Sequence, residues 1–363
     1  MDHVVYFLGA GFSAPVGIPV MRNFLIKSKD MFAQDPHRYR TFAKVFDLIR
    51  EMNVAKSYYE TDLFNIEEIL SILEMRDQLG GKRAKRFIKY IAEVIRHFTP
   101  SAPVADTSKY PANWHARLLA DAAVWEPYFY FILNLFNLRL ERPAGQSTFQ
   151  VEAERIVARY SVITLNYDLI LETVSQFLVS SFRGAGKFRF AALPEKGTNT
   201  HVALAKLHGS VDTDQIIPPT WNKRINKAMT EVWSGAHEIL REANQIRIIG
   251  YSLPVADAYI KYLLKSAVID APHLKQIDVL CRDSDGQTWA RYRDFIKLDY
   301  TRFATADVAT YLGAIKDMTS SGVAITQDFL SCNRLEQAHE QFFNTHSFSL
   351  RVGPPQPDVV IAG

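Results

Sequence analysis

Thr164-Leu165-Asn166-Tyr167-Asp168 sets an amide and a carboxylate on either side of a tyrosine, directly after the apolar run Ser161 to Thr164. Asn166 offers hydrogen-bond donors and an acceptor without charge, and Asp168 supplies a negative field. At a strand end, where open parallel sheets present ligand-binding groups, such a pair is a candidate binding site. The plain alternative is that either residue caps the helix that follows. Lys206-Leu207-His208-Gly209-Ser210 closes a second apolar run with a histidine, the side chain most often used as a general base. A lone histidine is more commonly structural, so His208 carries weight only in company. Gly250-Tyr251-Ser252-Leu253-Pro254 follows a third run and precedes a helical pattern containing Asp257. Three such strand ends are expected to converge on one crevice.

Gly9-Ala10-Gly11-Phe12-Ser13-Ala14 satisfies a G-x-G-x-x-A pattern after an apolar run, where glycines let the backbone approach a pyrophosphate at a helix N-terminus. The acidic residue Asp30 falls about twenty residues on, but in helical pattern and not at a second strand end, so the dehydrogenase fingerprint is incomplete. Other near misses carry no site. His237-Glu238-Ile239-Leu240-Arg241 has arginine where a zinc-protease helix needs its second histidine. Gly186-Lys187 is followed by Phe188 instead of Ser or Thr, and Pro254 replaces the last glycine of a nucleophile elbow.

The elements that must position these groups read as follows. Val4-Val5-Tyr6-Phe7-Leu8 is a continuous apolar run stopped by glycine, the pattern of a central strand buried on both faces. Strand patterns return at Ser161–Leu165, Val202–Leu207, Ile246–Ile249 and Ile277–Leu280, alternating with turns and helical segments, which implies a parallel sheet with covered faces. Between the first strand and the rest, amphipathic helical patterns occupy Arg38–Met52, Asn65–Met75, Phe87–Phe98 and Trp114–Val124, with the proline-rich segment Pro100–Pro111 as the expected internal loop. Tyr128–Phe136 reads as a buried core helix, well short of the roughly 20 apolar residues of a membrane span. The tail from Val308 is expected to hold one or two helices, and Gly353–Pro357 to be extended.

The 363 residues allow two or three compact units. With 48% hydrophobic and 22% charged residues, the chain is excluded from the fibrous and disordered classes. A formal charge of +3 gives no general nucleic-acid footprint. Two cysteines, Cys281 and Cys332, exclude both a disulfide scaffold and a four-cysteine zinc site, which fits a reducing cytoplasm. Met1-Asp2-His3 runs straight into the apolar segment without a basic n-region, so no export signal is expected.

Taken in order, Gly9-Ala10-Gly11-Phe12-Ser13 with Gly17-Ile18-Pro19, then Thr164–Asp168, then Leu207-His208-Gly209-Ser210, then Gly250–Pro254, resemble the sirtuin family. The resemblance covers residues 4–25 and 160–285; Asn65-Ile66-Glu67-Glu68-Ile69-Leu70 resembles only loosely the helical insertions of bacterial sirtuin-like proteins. It implies an α/β fold: a Rossmann-like parallel sheet with a large helical insertion and a helical C-terminal tail. The implied division is 1–25 with 155–305 as the NAD-binding domain, 26–154 as the insertion and 306–363 as the extension.

Departures from the family pattern choose the subclass. Deacylase sirtuins carry a four-cysteine zinc module after the His-Gly motif, whereas Gly209 to Ile249 contains no cysteine, so no zinc or other metal is expected. Val20-Met21 stand where Asp-Phe is usual. The sequence therefore looks like the bacterial sirtuin-like NAD hydrolases of anti-phage defence, in which NAD+ is the substrate and its depletion halts the infected cell. By resemblance Asn166 holds the nicotinamide ribose and the attacking water, and His208 is the general base. Asp168 binds the carboxamide or supports Asn166. Gly9, Ala10, Gly11, Phe12 and Ser13 cradle the pyrophosphate beside Pro19, and Gly250 with Ser252 contacts the adenosine half. Arg22 is a candidate phosphate partner. The expected partners are NAD+, further copies of the chain as a homo-oligomer, and a HerA-like ATPase or another defence protein, with neither membrane nor nucleic acid indicated. The alternatives are a module that senses NAD or ADP-ribose without turnover, and a deacylase or ADP-ribosyltransferase.

Overall fold

Every residue of strand β1 (His3–Leu8) is buried. Val4, Tyr6 and Leu8 face one apolar core and Val5 and Phe7 the other, so a strand with no polar alternation sits at the centre of the sheet. The computed structural model describes residues 1–78, 83–104, 119, 122–142, 149–192, 200–213, 215–216, 227–255, 257–269, 271, 273–320 and 329–353.

On one side β1 pairs in parallel with β4 (Arg159–Thr164), followed outward by β6 (His201–Lys206) and β5 (Arg189–Ala191). On the other it pairs in parallel with β9 (Gln245–Ile249), then β10 (Gln276–Leu280) and β11 (Thr301–Ala304), and the antiparallel β13 (Ser347–Ser349) closes the edge. The protein is thus an α/β chain built on a mostly parallel sheet, as its sequence patterns imply. The chain runs outward from β1 through β4 and then crosses back to β9 on the opposite flank. That reversal makes the carboxyl ends of β1, β4 and β9 a topological switch point, the place where open parallel sheets leave a crevice.

Helices α1 (Met21–Gln34), α2 (Arg40–Met52), α3 (Ile66–Gln78) and α4 (Ala84–Phe98) follow β1 and pack mainly on one another in a third core, which Tyr167, Val211 and Ile216 join. Helix α5 (Glu126–Leu135) is buried at every residue from Tyr128 onward, as its apolar run, interrupted by Asn134, predicts. It packs with α6 (Ile170–Ser181), α10 (Val308–Ser320) and α11 (Leu335–His346) on one face of the sheet. Helices α7 (Lys227–Arg241), α8 (Ala258–Ile269) and α9 (Gln287–Phe295) cover the other.

The tail holds the two expected helices and also strands that its pattern does not announce. β12 (Phe329–Cys332) pairs with β2 (Leu138–Glu141), itself paired with β3 (Gln150–Ala153), and β7 (Gly209–Ser210) forms a short ladder with β8 (Gln215–Ile216). Two to four residues are too few to display a period. Most of the helical pattern Trp114–Val124, positions 105–111 of the proline-rich segment and positions 354–357 lie outside the described residues.

A polar row crosses the sheet in register: Tyr6 opposite Arg247, Arg247 opposite Asp278, Asp278 opposite Arg302. Fully buried Arg247 donates to Tyr6 Oη at 2.9 Å and to Glu336 at 2.7 Å. Arg302 grips both oxygens of Asp278 at 2.7 and 2.8 Å, and His339 Nε2 donates to the same carboxylate at 2.9 Å. Burial alone would raise the Asp278 carboxyl, but these bonds hold it well below the usual carboxylate range.

Two buried histidines give stability a pH dependence. Burial, helped by Arg247, pushes His339 down to about 4, and burial with Arg159 does the same to His3. The unfolded chain takes up these protons near 6.5, whereas the folded chain does so only near 4. Both therefore favour the folded state fully above about pH 6.5, and that share is lost as pH falls towards 4. The urea midpoint is expected to drop between pH 7 and pH 5, with a shallower drop in His3→Gln; equal slopes for the two proteins would contradict the assignment.

Candidate functional site

The loop after β1 packs backbone against backbone on the loop after β9. A Cβ on Gly9 would stand 2.6 Å from Tyr251 Cα, and one on Gly11 would stand 2.8 Å from Gly250 Cα. Gly250 sits at φ 69°, in the left-handed region, and a Cβ there would meet Phe12 N at 2.5 Å. These glycines are required by that contact. Most of the loop's amides are already bonded: across the contact Gly9 N donates to Ile249 O at 3.0 Å and Gly11 N to Gly250 O at 2.9 Å, and within the loop Phe12 N donates to Gly9 O at 2.9 Å and Ser13 N to Ala10 O at 3.2 Å. Ala10, which is exposed, has an amide that donates to no group among the described residues.

Asn166, two residues past β4, crosses to the same loop. Its Nδ2 donates to Gly9 O at 3.0 Å and to Ser13 Oγ at 2.8 Å, and its own amide donates to Thr164 Oγ1 at 3.1 Å. Because the Gly9 carbonyl only accepts, the side-chain amide is fixed with its NH2 toward the glycine loop. Oδ1 accepts nothing among the described residues. Asp168 does take up the helix-start role that its position allows: Oδ1 accepts from Ile170 N at 3.2 Å. Burial raises the Asp168 carboxyl despite the nearby Ser13 hydroxyl and Lys206 charge.

A cavity of about 260 Å3 lies at this switch point. Of the residues singled out from sequence, Ala10, Ser13, Pro19, Asn166, Asp168, Gly250 and Ser252 line it, whereas Gly9, Gly11 and Phe12 do not. Phe12 points into the core, edge-on to Tyr128 at 5.3 Å, and its carbonyl accepts from the Tyr128 hydroxyl at 2.6 Å. Arg22 is exposed and does not line the cavity. Ile18, from the loop after β1, and Met21, Phe24, Ile66 and Ile95, from the helical block, supply an apolar wall.

Three acidic side chains, Glu67, Asp168 and Asp257, line the same cavity, and no lysine or arginine is among the described lining residues. The Tyr251 hydroxyl donates to Asp257 at 2.7 Å. Burial raises the Tyr167 and Tyr251 phenols well above their ordinary value, and the charges of Glu67 and Asp257 add to the effect. This is a negative field around a partly apolar space, suited to a planar cation and poorly suited to phosphate.

His208 is not among the lining residues. Its side chain is 1% exposed, its ring centroid lies 6.0 Å from that of Tyr167, and Nδ1 stands 3.5 Å from Glu67 Oε1. Neither ring nitrogen has a hydrogen-bond partner among the described residues. The end of β6 therefore reaches the back of the site, behind Glu67 and Tyr167, and the strand ends that line the cavity are those of β1, β4 and β9.

No family model matches the chain, and no curated protein matches it. Among solved structures it is similar over 86% of its length to Sir2 chains, 91% of whose length is covered. One holds a p53 peptide and NAD+, at 11% identity and a TM-score of 0.35. Another is bound to an acetylated peptide, at 11% and 0.33. A third is in complex with the inhibitor EX-527, 2′-O-acetyl-ADP-ribose and a deacetylated p53 peptide, at 12% and 0.30. At such scores the likeness carries no argument about this site.

Among the described residues Asp278, His339 and Glu340 form the grouping with metal-ligand spacing. Arg302 donates to both carboxylates, so a guanidinium already stands in the place of a cation. Glu67 is the lining residue that sequence reasoning did not single out. The available signal was its helix start: Asn65 Oδ1 accepts from Glu67 N at 3.0 Å and Glu68 N at 3.1 Å, the cap that an Asn-x-x-Glu pattern announces. The pattern locates the turn, but not the strand ends it faces.

Proposed function

We propose that the chain is an NAD+ glycohydrolase that cleaves the nicotinamide–ribose bond to give nicotinamide and ADP-ribose, acting at the cavity between the ends of β1, β4 and β9. The observation that carries this reading is the lining itself: a fixed amide, Asn166, and three carboxylates with no lysine or arginine among the described lining residues. NAD+ brings a cationic ring at one end and phosphates further along, and the lining suits the former. Breaking its glycosidic bond builds positive charge on the ribose, as in glycoside hydrolysis.

The chain's own groups then have definite tasks. Asn166 Oδ1 accepts from a ribose hydroxyl or from water. Asp168 and Glu67 oppose the developing charge with theirs. His208 takes the water proton, for which Tyr167 must turn aside to open the ring to the cavity. The apolar wall excludes bulk water. At about 260 Å3 the cavity lies below the roughly 300–1,000 Å3 usual for ligand sites. It takes part of a dinucleotide, and the loops at exposed Ala10 and half-buried Ser252 serve the remainder. The resemblance of the motif blocks to the sirtuin family, together with the cysteine-free stretch Gly209 to Ile249, extends the reading to an NAD-depleting defence effector that is gated by self-assembly or by an ATPase partner.

One observation favours a second reading. The withdrawn His208 suits a module that binds NAD or ADP-ribose and reports it without turnover. Purified chain given NAD+ is expected to release nicotinamide, and His208→Ala to slow that release about 10²- to 10⁴-fold, the usual worth of a general base. NAD+ bound by calorimetry with no nicotinamide released, with or without a partner ATPase, would favour the sensing module.

A further inference from the structure

Among the described residues the buried imidazole of His208 finds no hydrogen-bond partner at either nitrogen, a state that calls for an explanation. The group nearest to filling the gap comes from the helical block. Asn65 caps α3 and so fixes Glu67 in its first turn, with the carboxylate turned inward, 17% exposed, and Oε1 3.5 Å from His208 Nδ1. A glutamate at a helix start is often only a partner for the helix dipole. This one also lines the cavity and points at an unsatisfied ring.

We propose that Glu67 is a positioning residue for His208. Its carboxylate accepts the Nδ1 proton, which fixes the ring's tautomer and turns Nε2, unprotonated, into the base for the attacking water. At 3.5 Å the carboxylate already favours a proton on the facing Nδ1 in the ligand-free chain, and the separation tightens further when ligand fills the site, as separations between catalytic groups commonly do. This role rests on the hydrolase reading. In the assisted step the bond from ribose C1′ to nicotinamide breaks and its electron pair leaves with nicotinamide. The water oxygen bonds to C1′ and the water proton passes to Nε2. Glu67 stays ionised beside the imidazolium, which returns the proton to solvent. The helical block is thereby tied to the chemistry, since any movement of α3 moves the group that orients the base.

The test uses the full chain labelled with ring-15N histidine, read by NMR without NAD+ and followed by kinetics. Wild type is expected to show His208 mainly as the Nδ1–H tautomer, and Glu67→Ala to lose that preference. Nicotinamide release by Glu67→Ala is expected to show kcat lowered about 10- to 100-fold with KM within about threefold, and Glu67→Gln, which keeps an acceptor but no charge, to fall between. His208 signals identical in wild type, Glu67→Ala and Glu67→Gln would overturn the pairing, even with the hydrolase intact. The expected tautomers without nicotinamide release from any of the proteins would leave the two side chains paired and sink the hydrolase reading, together with the role given to the pair.

Discussion

Asn166→Ala is expected to lower nicotinamide release by about 10²- to 10³-fold, the usual cost of removing one preorganised polar group from a reacting centre. The argument is geometric. With Nδ2 held by Gly9 O and Ser13 Oγ, Oδ1 cannot turn away from the cavity without losing two buried bonds. Alanine deletes that acceptor and also the two bonds from Nδ2, to Gly9 O, which keeps its bond from Phe12 N, and to Ser13 Oγ, at about 1–3 kcal/mol of stability for the pair. Initial rates taken well below the melting temperature separate the two effects. Asn166→Asp keeps the shape but sets a carboxylate against the Gly9 carbonyl, so it is expected to resemble alanine. Wild-type rates in a folded Asn166→Ala would remove Asn166 from the site.

Gly250→Ala is expected to be the most damaging small substitution near the site, at about 2–5 kcal/mol. Two costs combine: about 1–2 kcal/mol for a left-handed residue with a Cβ, and about 1–3 kcal/mol for forcing backbone apart at Phe12. Gly17 supplies the comparison. It sits at φ 97°, but a Cβ there meets nothing within 4 Å, so Gly17→Ala should cost only the conformational share. Urea unfolding of the two variants decides. Equal losses would mean that the backbone contact between the two glycine loops contributes nothing.

How much of this was legible follows from which forces act locally. Strands β1, β4, β6, β9 and β10 announce themselves because strands covered on both faces read as largely apolar runs, unbroken after His3 in β1 and interrupted by isolated polar residues in the others. The strand-end motifs followed, and with them most of the cavity lining. The polar row was hidden: Arg247 and Asp278 lie in short strand patterns and look like solvent-facing breaks, yet α10 and α11 cover them. The glycine loop showed its need for small residues but not the reason, since backbone contact with Gly250 and phosphate approach leave the same letters. Glu67 and the withdrawal of His208 were beyond reach. Both depend on how a helical block inserted after β1 packs against the end of β6, a contact between residues far apart in sequence that no local period encodes.

The central claim is that water attacks the ribose carbon released from nicotinamide at this cavity. It is tested most directly by incubating the purified chain with NAD+ in 18O-labelled water and weighing the products. The account predicts nicotinamide and ADP-ribose in equal amounts, with one 18O carried by the ADP-ribose. Nicotinamide released alongside a cyclic or unlabelled product would contradict hydrolysis, and NAD+ recovered intact from a chain that binds it would contradict catalysis.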